Sequence, residues 1–247
     1  MGAVAKMFRF LGDTVEEVAR KLVDNGYPPE TAVRMADGTL PMDYASRMQR
    51  ATEQGYDVLN PEYRGGGLTQ IENPESLFEN GFYSSQNPYV ANTYSMKAGG
   101  NLMPVAVRKD GYLPVDANGA DWNEIQVQNG SPLQQMLLDN GYRGAGQIDT
   151  DQILNVAIDD AGLSGVSYNN VRDIGPFTRS LGKEFLGKAW DGANNTASMN
   201  PSNVKSLLSA AFDPQYKGSN ILGGSAGLGV LGEVMRQLEE KKNRGMD

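Results

Sequence analysis

The chain of 247 residues contains neither histidine nor cysteine. Without cysteine it has no disulfide, no thiolate nucleophile and no thiolate metal ligand. Without histidine it has no imidazole acid or base, no serine–histidine–aspartate triad and no histidine-ligated zinc. Any catalysis by this chain must therefore use carboxylates, tyrosine, lysine, arginine or hydroxyl groups, and we expect no metal cofactor.

Positive charge and long apolar runs are also scarce. The net charge is −8 and the pI is about 4.7, so the chain lacks the basic footprint of a nucleic-acid-binding protein. No apolar run approaches the ~18 residues that are needed to span a bilayer. We therefore expect a soluble protein with no nucleic-acid and no membrane partner. Thirty glycines and twelve prolines predict a modest core with many loops.

The first 55 residues read as a helical leader. The first helix has either Asp13 or Thr14 as its cap, with Glu16 or Glu17 three residues later, and the third helix is capped by Asp43. The leader is interpreted either as a packing lid or spacer, or as a module that binds a partner. Helices are predicted at residues 13–25, 29–35 and 44–54.

Residues 56–222 mix short strands with helices and lack a regular βαβ alternation, which favours an α+β fold over a doubly wound sheet. The region 177–195 is predicted to be a loop. Strands are predicted at residues 81–85, 102–107, 112–115, 165–171 and 196–199. Helices are predicted at residues 132–140 and 151–161, the second of them capped by Thr150 or Asp151.

The C-terminal residues 223–247 begin with a glycine-rich hinge, Gly-Gly-Ser-Ala-Gly. An amphipathic helix is predicted over residues 228–242. Its apolar stripe needs a surface to cover it, which is either the chain's own domain or another protein. We predict that the helix packs on a neighbouring chain, because the hinge gives reach without fixing direction. The stripe consists of Leu228, Leu231, Val234, Met235 and Leu238.

The centre of the chain, residues 63–95, holds the strongest candidate site. Tyr63 and Arg64 precede three glycines, which allow a close approach of the backbone to a ligand. Tyr83 lies in a short aromatic strand, and Tyr94 lies in the helix that follows it. The two tyrosines can therefore converge on one pocket. The alternative is that both are ordinary core tyrosines with satisfied hydroxyl groups.

The order Tyr-x-Gly, Gly-aromatic-Tyr and Ala-x-x-Tyr resembles the ADP-ribosyltransferase fold of the diphtheria-toxin and poly(ADP-ribose) polymerase kind. The version in large phage-encoded polyvalent proteins is more similar still. It shares a leader like residues 40–56 and an end like residues 200–214, so the resemblance covers residues 40–222. It implies split, mostly antiparallel sheets in a core at residues 56–222, with NAD as the cofactor.

The resemblance also implies roles for individual residues. The motif at Tyr63 would grip NAD, Tyr83 would pack on the nicotinamide, and Tyr94 would cover its other face. Arg64 stands where the tyrosine branch of the family has histidine, although another branch uses arginine there; otherwise it is a surface arginine beside a glycine turn. The implied cofactor-binding residues are Tyr63, Arg64, Gly65, Tyr83, Ser84 and Tyr94.

The catalytic carboxylate of the family is missing from its expected place. The resemblance puts a glutamate at position 195, where this chain has Asn195, and residues 193–201 contain no acidic residue. A neutral amide cannot stabilise the positive charge that develops on the ribose. Glu124 and Asp191 are the candidate replacements, and the alternative is that both are solvated loop carboxylates.

These observations predict a phage protein with a degenerate NAD pocket, acting as a structural or ejected virion component in the virion or the host cytoplasm. Its partners would be other virion proteins or a second copy, bound through residues 228–242. The first alternative is an active mono-ADP-ribosyltransferase that modifies host proteins. A further alternative is a sensor that binds NAD without turnover.

Overall fold

The computed structural model describes residues 13–66, 81–95, 101–141, 147–173, 193–208 and 210–216, together with Gly187. The predicted hinge and helix of residues 223–247 and the candidate Asp191 lie outside these residues. The chain divides into two compact units, Met1–Gly55 with Lys205–Asp247, and Tyr56–Val204. In the described segments, no helix has the length and apolar character to cross a membrane.

The smaller unit contains the three predicted helices. Thr14 caps α1 and forms a reciprocal capping box with Glu17, which decides between the caps that the sequence allowed. Asp43 caps α3 as predicted. Gly38 ends α2 with a left-handed φ of 85°, a conformation that favours glycine. The helices are α1 at Val15–Asp24, α2 at Pro29–Asp37 and α3 at Tyr44–Glu53.

Arginines of α3 hold the segment that follows residue 206 in this unit. Arg47 donates hydrogen bonds to the carbonyls of Ala210 (2.8 Å) and Leu207 (2.6 Å). Arg50 donates to the carbonyl of Ala211 at 2.8 Å. These bonds satisfy backbone acceptors that have no partner in a regular strand or helix. The leader and the end segment, which are far apart in the sequence, therefore form one unit.

A mostly antiparallel sheet dominates the larger unit, and the α+β class is confirmed. The strands are β1 at Asp57–Gly66, β2 at Phe82–Ser85, β3 at Asn101–Val107, β4 at Tyr112–Asp116, β5 at Ile125–Gln126, β6 at Gln147–Ile148, β7 at Gly165–Val171, β8 at Ala193–Ser198 and β9 at Val204–Ser206. Seven of them lie in the order β4-β7-β8-β2-β1-β3-β9, and β5 pairs with β6. The pair β4 and β7 is parallel.

The large sheet is nearly divided between β1 and β2. These strands register at a single residue pair, Tyr63 with Ser85, whereas β2 registers with β8 along four residues. Side chains strengthen this junction. Glu62 on β1 is only 2 % exposed and accepts hydrogen bonds from Ser84 on β2 (2.6 Å) and Thr196 on β8 (2.7 Å). A buried carboxylate therefore joins the two halves of the sheet.

Three helices accompany the sheet in the described part of this unit. They are α4 at Pro88–Ser95, α5 at Pro132–Asp139 and α6 at Thr150–Asn155, which continues as a π-helical turn at Val156–Asp160. Asn87 starts α4 by accepting from the backbone N–H of Tyr89, at 3.0 Å. The cap of α6 is Asp149, which forms a capping box with Gln152, so the prediction of Thr150 or Asp151 is wrong by one or two residues.

Two strand predictions need correction. Residues 57–66 were not predicted as a strand, because asparagine, proline and glycine interrupt the pattern; the chain accommodates them with an irregular register between Asp57 and Glu62. The strand β8 begins at Ala193, three residues before the predicted start, so the end of the predicted loop at residues 177–195 is wrong. Each of these strands pairs with a neighbouring strand on both of its edges, and this pairing overrides the weak preference of its residues for β-structure.

Gly65 provides a test of the packing between β1 and α4. A Cβ atom at this position would lie 1.7 Å from the carbonyl oxygen of Ala91, which is backbone and cannot rotate away. We expect Gly65→Ala to lower the free energy of unfolding by about 2 kcal/mol or more. Gly187→Ala is the matched control, since its added Cβ would meet nothing within 4 Å. Equal urea midpoints for the two variants would contradict this packing.

Candidate functional site

Strand alternation gives the sheet two distinct faces. The tyrosine face carries Tyr83, Ser85, Asn195 and Ala197, which register across β2 and β8. The glutamate face carries Glu62, Phe82, Ser84 and Thr196. Neighbouring residues of a strand point to opposite faces, and Arg64 packs on Phe82 of the glutamate face, so Gly65 belongs to the tyrosine face. Gly65 approaches the backbone of Ala91 in α4. The helix α4 therefore lies against the tyrosine face. The predicted site residues are therefore distributed over both faces.

Asp173, two residues after the end of β7, connects two predicted site residues on the tyrosine face. The Tyr94 hydroxyl donates a hydrogen bond to its Oδ1. The Asn195 amide donates to its Oδ2 at 2.9 Å. Asp173 is 7 % exposed and Asn195 is 3 % exposed, whereas Tyr94 is 41 % exposed. A buried carboxylate thus lies between the helix tyrosine and the position where the resemblance expects a glutamate.

The environment of Asp173 perturbs its protonation. Burial raises the pKa of the carboxyl group to about 6, and the hydrogen bond from Tyr94 opposes this rise only in part. Burial and the adjacent charge of Asp173 in turn raise the pKa of the Tyr94 hydroxyl. Carboxylates with a raised pKa are a property of many functional sites.

Asn195 has one acceptor left over. Its Nδ2 must face Asp173, since a carboxylate oxygen accepts a hydrogen bond, and this sets the orientation of the amide. The Oδ1 atom is buried and has no hydrogen-bond partner in the described structure. An unsatisfied buried acceptor is costly, by about 1–3 kcal/mol, and calls for an explanation. A ligand donor is one such explanation.

Tyr83 is held by a second aspartate. Its hydroxyl donates to Oδ1 of Asp151, on α6, at 2.8 Å. Its ring meets Trp122 edge-on, with centroids 5.5 Å apart, and Trp122 in turn lies 5.5 Å from Tyr168. Burial, followed by the hydrogen bond and charge of Asp151, raises the pKa of Tyr83. Each of the two predicted pocket tyrosines therefore bonds to an aspartate.

Arg64 and Ser84 do not join the tyrosines. The guanidinium of Arg64 donates to the carbonyl of Tyr83 at 3.0 Å and lies 5.0 Å from the centroid of the Phe82 ring. Because Phe82 and Tyr83 are neighbours on one strand, their rings project from opposite faces. Ser84 shares the face of Phe82 and donates to Glu62. The sheet therefore separates these two predicted cofactor contacts from the Tyr83 ring.

The other predicted site residues, Tyr63, Gly65 and Glu124, lie at three separate places in the structure. Tyr63 is half-buried opposite Ser85, at the junction of the sheet. The close backbone approach at Gly65 is to α4 of the same chain. Glu124 is exposed beside β5. Among the described residues, no group of three or more acidic side chains could hold a metal ion.

Asp173 is the residue that sequence reasoning missed, since this region yields only the predicted strand at residues 165–171. The usable signal was the pair Arg172 and Asp173, which follows a strand that has no charged residue. That signal alone does not reveal Tyr94 as a partner, because the two residues are 79 positions apart. The fold is needed to bring them together.

No protein-family model matches the chain. Searches of curated proteins and of solved structures also find no match. Function is therefore inferred from the residues and geometry of the site.

Asp173 predicts an unusual dependence of stability on pH. The folded pKa of about 6 exceeds the value of about 3.9 for an unfolded aspartate, so the folded state binds the proton more tightly. This carboxyl group therefore lowers stability as pH rises from about 4 through 6. We expect Asp173→Asn to raise the free energy of unfolding at pH 7.5 by about 1–3 kcal/mol, and the gain to shrink towards pH 4.

Urea unfolding at pH 4, 5.5 and 7.5 measures this effect. The substituted amide keeps an oxygen that accepts from Tyr94 but puts an N–H donor where Oδ2 accepts from Asn195, so the pH dependence of the difference reports the charge. Asp159→Asn, at an exposed position, is the control with the same chemical change. A difference between wild type and Asp173→Asn that does not vary with pH would show that Asp173 does not titrate in this range.

Proposed function

We propose that this chain is a phage protein with an ADP-ribosyltransferase-like fold and a degenerate pocket that binds NAD with little turnover. The observation that carries the proposal is the joint hydrogen bonding of Tyr94 and Asn195 to Asp173. It brings the helix tyrosine to the strand position of the family's catalytic residue. Tyr83 projects from the same sheet face as Asn195, which adds the third residue of a nicotinamide pocket.

The sheet offers independent support for the fold. The resemblance implies two sheets. The large sheet is nearly divided into two halves, because β1 and β2 are joined by one residue pair. The buried Oδ1 of Asn195 also lacks a donor among the described residues. A carboxamide N–H or a ribose hydroxyl of NAD would supply one. Tyr83 and Tyr94 would stack on the nicotinamide, each contributing about 0.5–1.5 kcal/mol beyond burial.

The expected lack of turnover follows from charge. NAD supplies a glycosidic bond whose cleavage develops positive charge on the ribose. Asn195 is neutral, so it does not provide the anion that would stabilise this charge. Binding that is equally strong before and at the transition state does not accelerate the reaction. The pocket would then hold NAD without consuming it at a rate typical of the family.

The second candidate is an active mono-ADP-ribosyltransferase that modifies host proteins, and Asp173 favours it. Its Oδ2 lies 2.9 Å from the amide of Asn195, so an anion is present one hydrogen bond from the expected position. With a pKa of about 6, this carboxyl group is largely ionised at pH 7.5. The exposed Glu124 has no comparable contact with the tyrosines, and we no longer propose it as the acid.

An exchange of the amide and the carboxylate separates the two candidates. The variant Asn195→Glu with Asp173→Asn keeps one of each group and moves the anion to the family position. We expect wild type to bind NAD in calorimetry with negligible consumption. We expect the exchanged variant to consume NAD faster by roughly 10²–10³-fold, the usual contribution of one electrostatic group.

Two results would change this conclusion. Wild type that consumes NAD rapidly, and loses this activity in Asp173→Asn alone, would establish the active transferase. Wild type that binds no NAD would contradict both candidates. The matched control is Asp159→Asn with Asn155→Glu, which makes the same two changes at exposed residues at the end of α6 and in the turn that follows it.

We further propose that the protein is a structural or ejected virion component, acting in the virion or the host cytoplasm. Its contacts with other virion proteins or with a second copy would use the stripe of residues 228–242. Burial of each apolar side chain stabilises such a contact by about 1.5–3 kcal/mol before entropy costs. These residues lie outside the described structure, so support for this role comes from the sequence pattern and the resemblance.

Leu231→Lys is expected to weaken assembly, measured by light scattering and by co-purification with virion proteins, because it places a charge in the stripe. Gln237→Lys adds the same side chain away from the stripe and serves as the control. Deletion of residues 223–247 should have the larger effect while the melting temperature of the remainder stays within a few degrees. Unchanged assembly of the deletion variant would contradict the role of the tail.

A further inference from the structure

A cleft of about 340 Å³ opens at the edge of the large sheet, between the end of β4 and the segment from Gln126 to Leu133. Ligand sites in proteins occupy ~300–1,000 Å³, so the cleft has room for one small ligand. Two strands, β7 and β8, separate β4 from β2 in the sheet, and no described lining residue belongs to the tyrosine face. A ligand in the cleft would therefore be separate from one in the proposed NAD pocket.

The edge of β4 does not suit the addition of a further strand. β4 is the first strand in the order of the large sheet, so among the described strands only β7 pairs with it. The N–H of Ala117 donates to Asn169 of β7, and hydrogen-bonding directions alternate along a strand, so Pro114 faces the outer edge. Proline has no N–H to donate to an added strand. The cleft therefore suits a compact ligand rather than an extended peptide.

Gln134 holds the opposite wall of the cleft in place. Its side-chain amide donates to Oδ1 of Asn129 at 2.9 Å, and its Oε1 accepts from the N–H of Gly130 at 2.5 Å. Ser131 caps α5 by accepting from the N–H of Gln134 at 3.1 Å. These bonds fix the loop to the first turn of α5, so this wall is formed before a ligand arrives.

The polar groups that line the cleft are one carboxylate, one hydroxyl and four side-chain amides. Asp116 is the only charged residue among the described lining residues. Its Oδ1 accepts from the N–H of Asn118 and the amide of Asn170, which leaves its Oδ2 with no hydrogen-bond partner among the described residues. In the same part of the chain, nothing bonds to the side chains of Gln126 and Asn169. The four amides belong to Gln126, Gln128, Asn129 and Asn169.

These groups match a ligand that is neutral and rich in hydroxyl groups. A hydroxyl both donates and accepts hydrogen bonds, so it can pair with a carboxylate oxygen and with both ends of an amide. Asp116 would repel an anion, and no described lining residue supplies a cation to hold one. A flat aromatic ligand would lack a stacking partner, because the described lining contains no aromatic ring. The exposed rings of Pro114 and Pro132 provide apolar surface for the C–H groups of a sugar.

We infer that this cleft binds a neutral sugar ring, as a free monosaccharide or as the end unit of a glycan. The amides and the Asp116 carboxylate bond to the sugar hydroxyls, and the two prolines pack against its apolar side. The cleft is open and its polar contacts are few, so binding is weak, with a Kd on the order of 1 mM. This ligand is independent of the proposed NAD function.

Ligand-detected NMR titration of the full chain measures such weak binding. The probes are glucose, galactose and N-acetylglucosamine, the linear trisaccharide of each, and glucuronate and galacturonate as anionic analogues. Gln126→Ala and Asn169→Ala should each weaken sugar binding by about threefold to tenfold, because each removes one hydrogen-bonding group. Each uronate should bind several-fold more weakly than its parent sugar, and Asp116→Asn should reduce that difference. Gln135→Ala removes an exposed amide of α5 outside the lining and should bind as wild type does.

The same titrations separate the two sources of the sugar. Binding of a free monosaccharide assigns a free sugar, whereas binding of a trisaccharide alone assigns the end of a glycan; weaker binding in Gln126→Ala and Asn169→Ala supports the cleft in both cases. Sugar binding that neither variant changes would place the ligand elsewhere and overturn the inference. A uronate that binds more tightly than its parent sugar would overturn the assignment of a neutral ligand. Failure of every sugar to bind would overturn the site itself.

Discussion

Glu62 is a buried carboxylate on which the junction of the main sheet depends. The backbone connects β1 to β2 through one residue pair, which is too little to fix the relative position of two half-sheets. Ser84, Thr196 and Lys109 all donate to Glu62, so one side chain links β1, β2, β8 and the turn after β3. Removing one partner of such a group would leave a buried charge uncompensated, at about 3–5 kcal/mol.

Asp173 is the counterpart of Glu62 on the other face, with a different electrostatic result. Its partners Tyr94 and Asn195 are neutral, and burial raises the pKa of Asp173 to about 6. A paired cation such as the one at Glu62 would have removed that instability. The buried charge of Asp173 therefore costs stability on the tyrosine face, whereas the charge of Glu62 at the sheet junction is paired with a cation. Perturbed carboxyl groups of the first kind are more common at binding and catalytic sites than in structural ion pairs.

Local signals in the sequence were sufficient to predict the helices, apart from the cap of α6, and insufficient to predict the site. Thr14 and Asp43 lie at caps because their side chains satisfy N–H groups within three residues, an interaction that a sequence pattern contains. The strand β1 and the role of Asp173 depend instead on partners far along the chain. Neither could be predicted, because pairing of β1 with β3 overrides its proline and glycines, and because Tyr94 reaches Asp173 only after folding.

Strand alternation separates the tyrosine face from the junction of the half-sheets. Neighbouring residues of β8 serve different faces: Thr196 holds Glu62 at the junction, and Asn195 reaches Asp173 on the tyrosine face. In β2, Ser84 and Tyr83 divide in the same way. A change at position 195 to a charged residue would therefore alter the charge of the tyrosine face without disturbing the hydrogen bonds that join the half-sheets. The chemistry of the tyrosine face and the stability of the sheet are separable at adjacent residues.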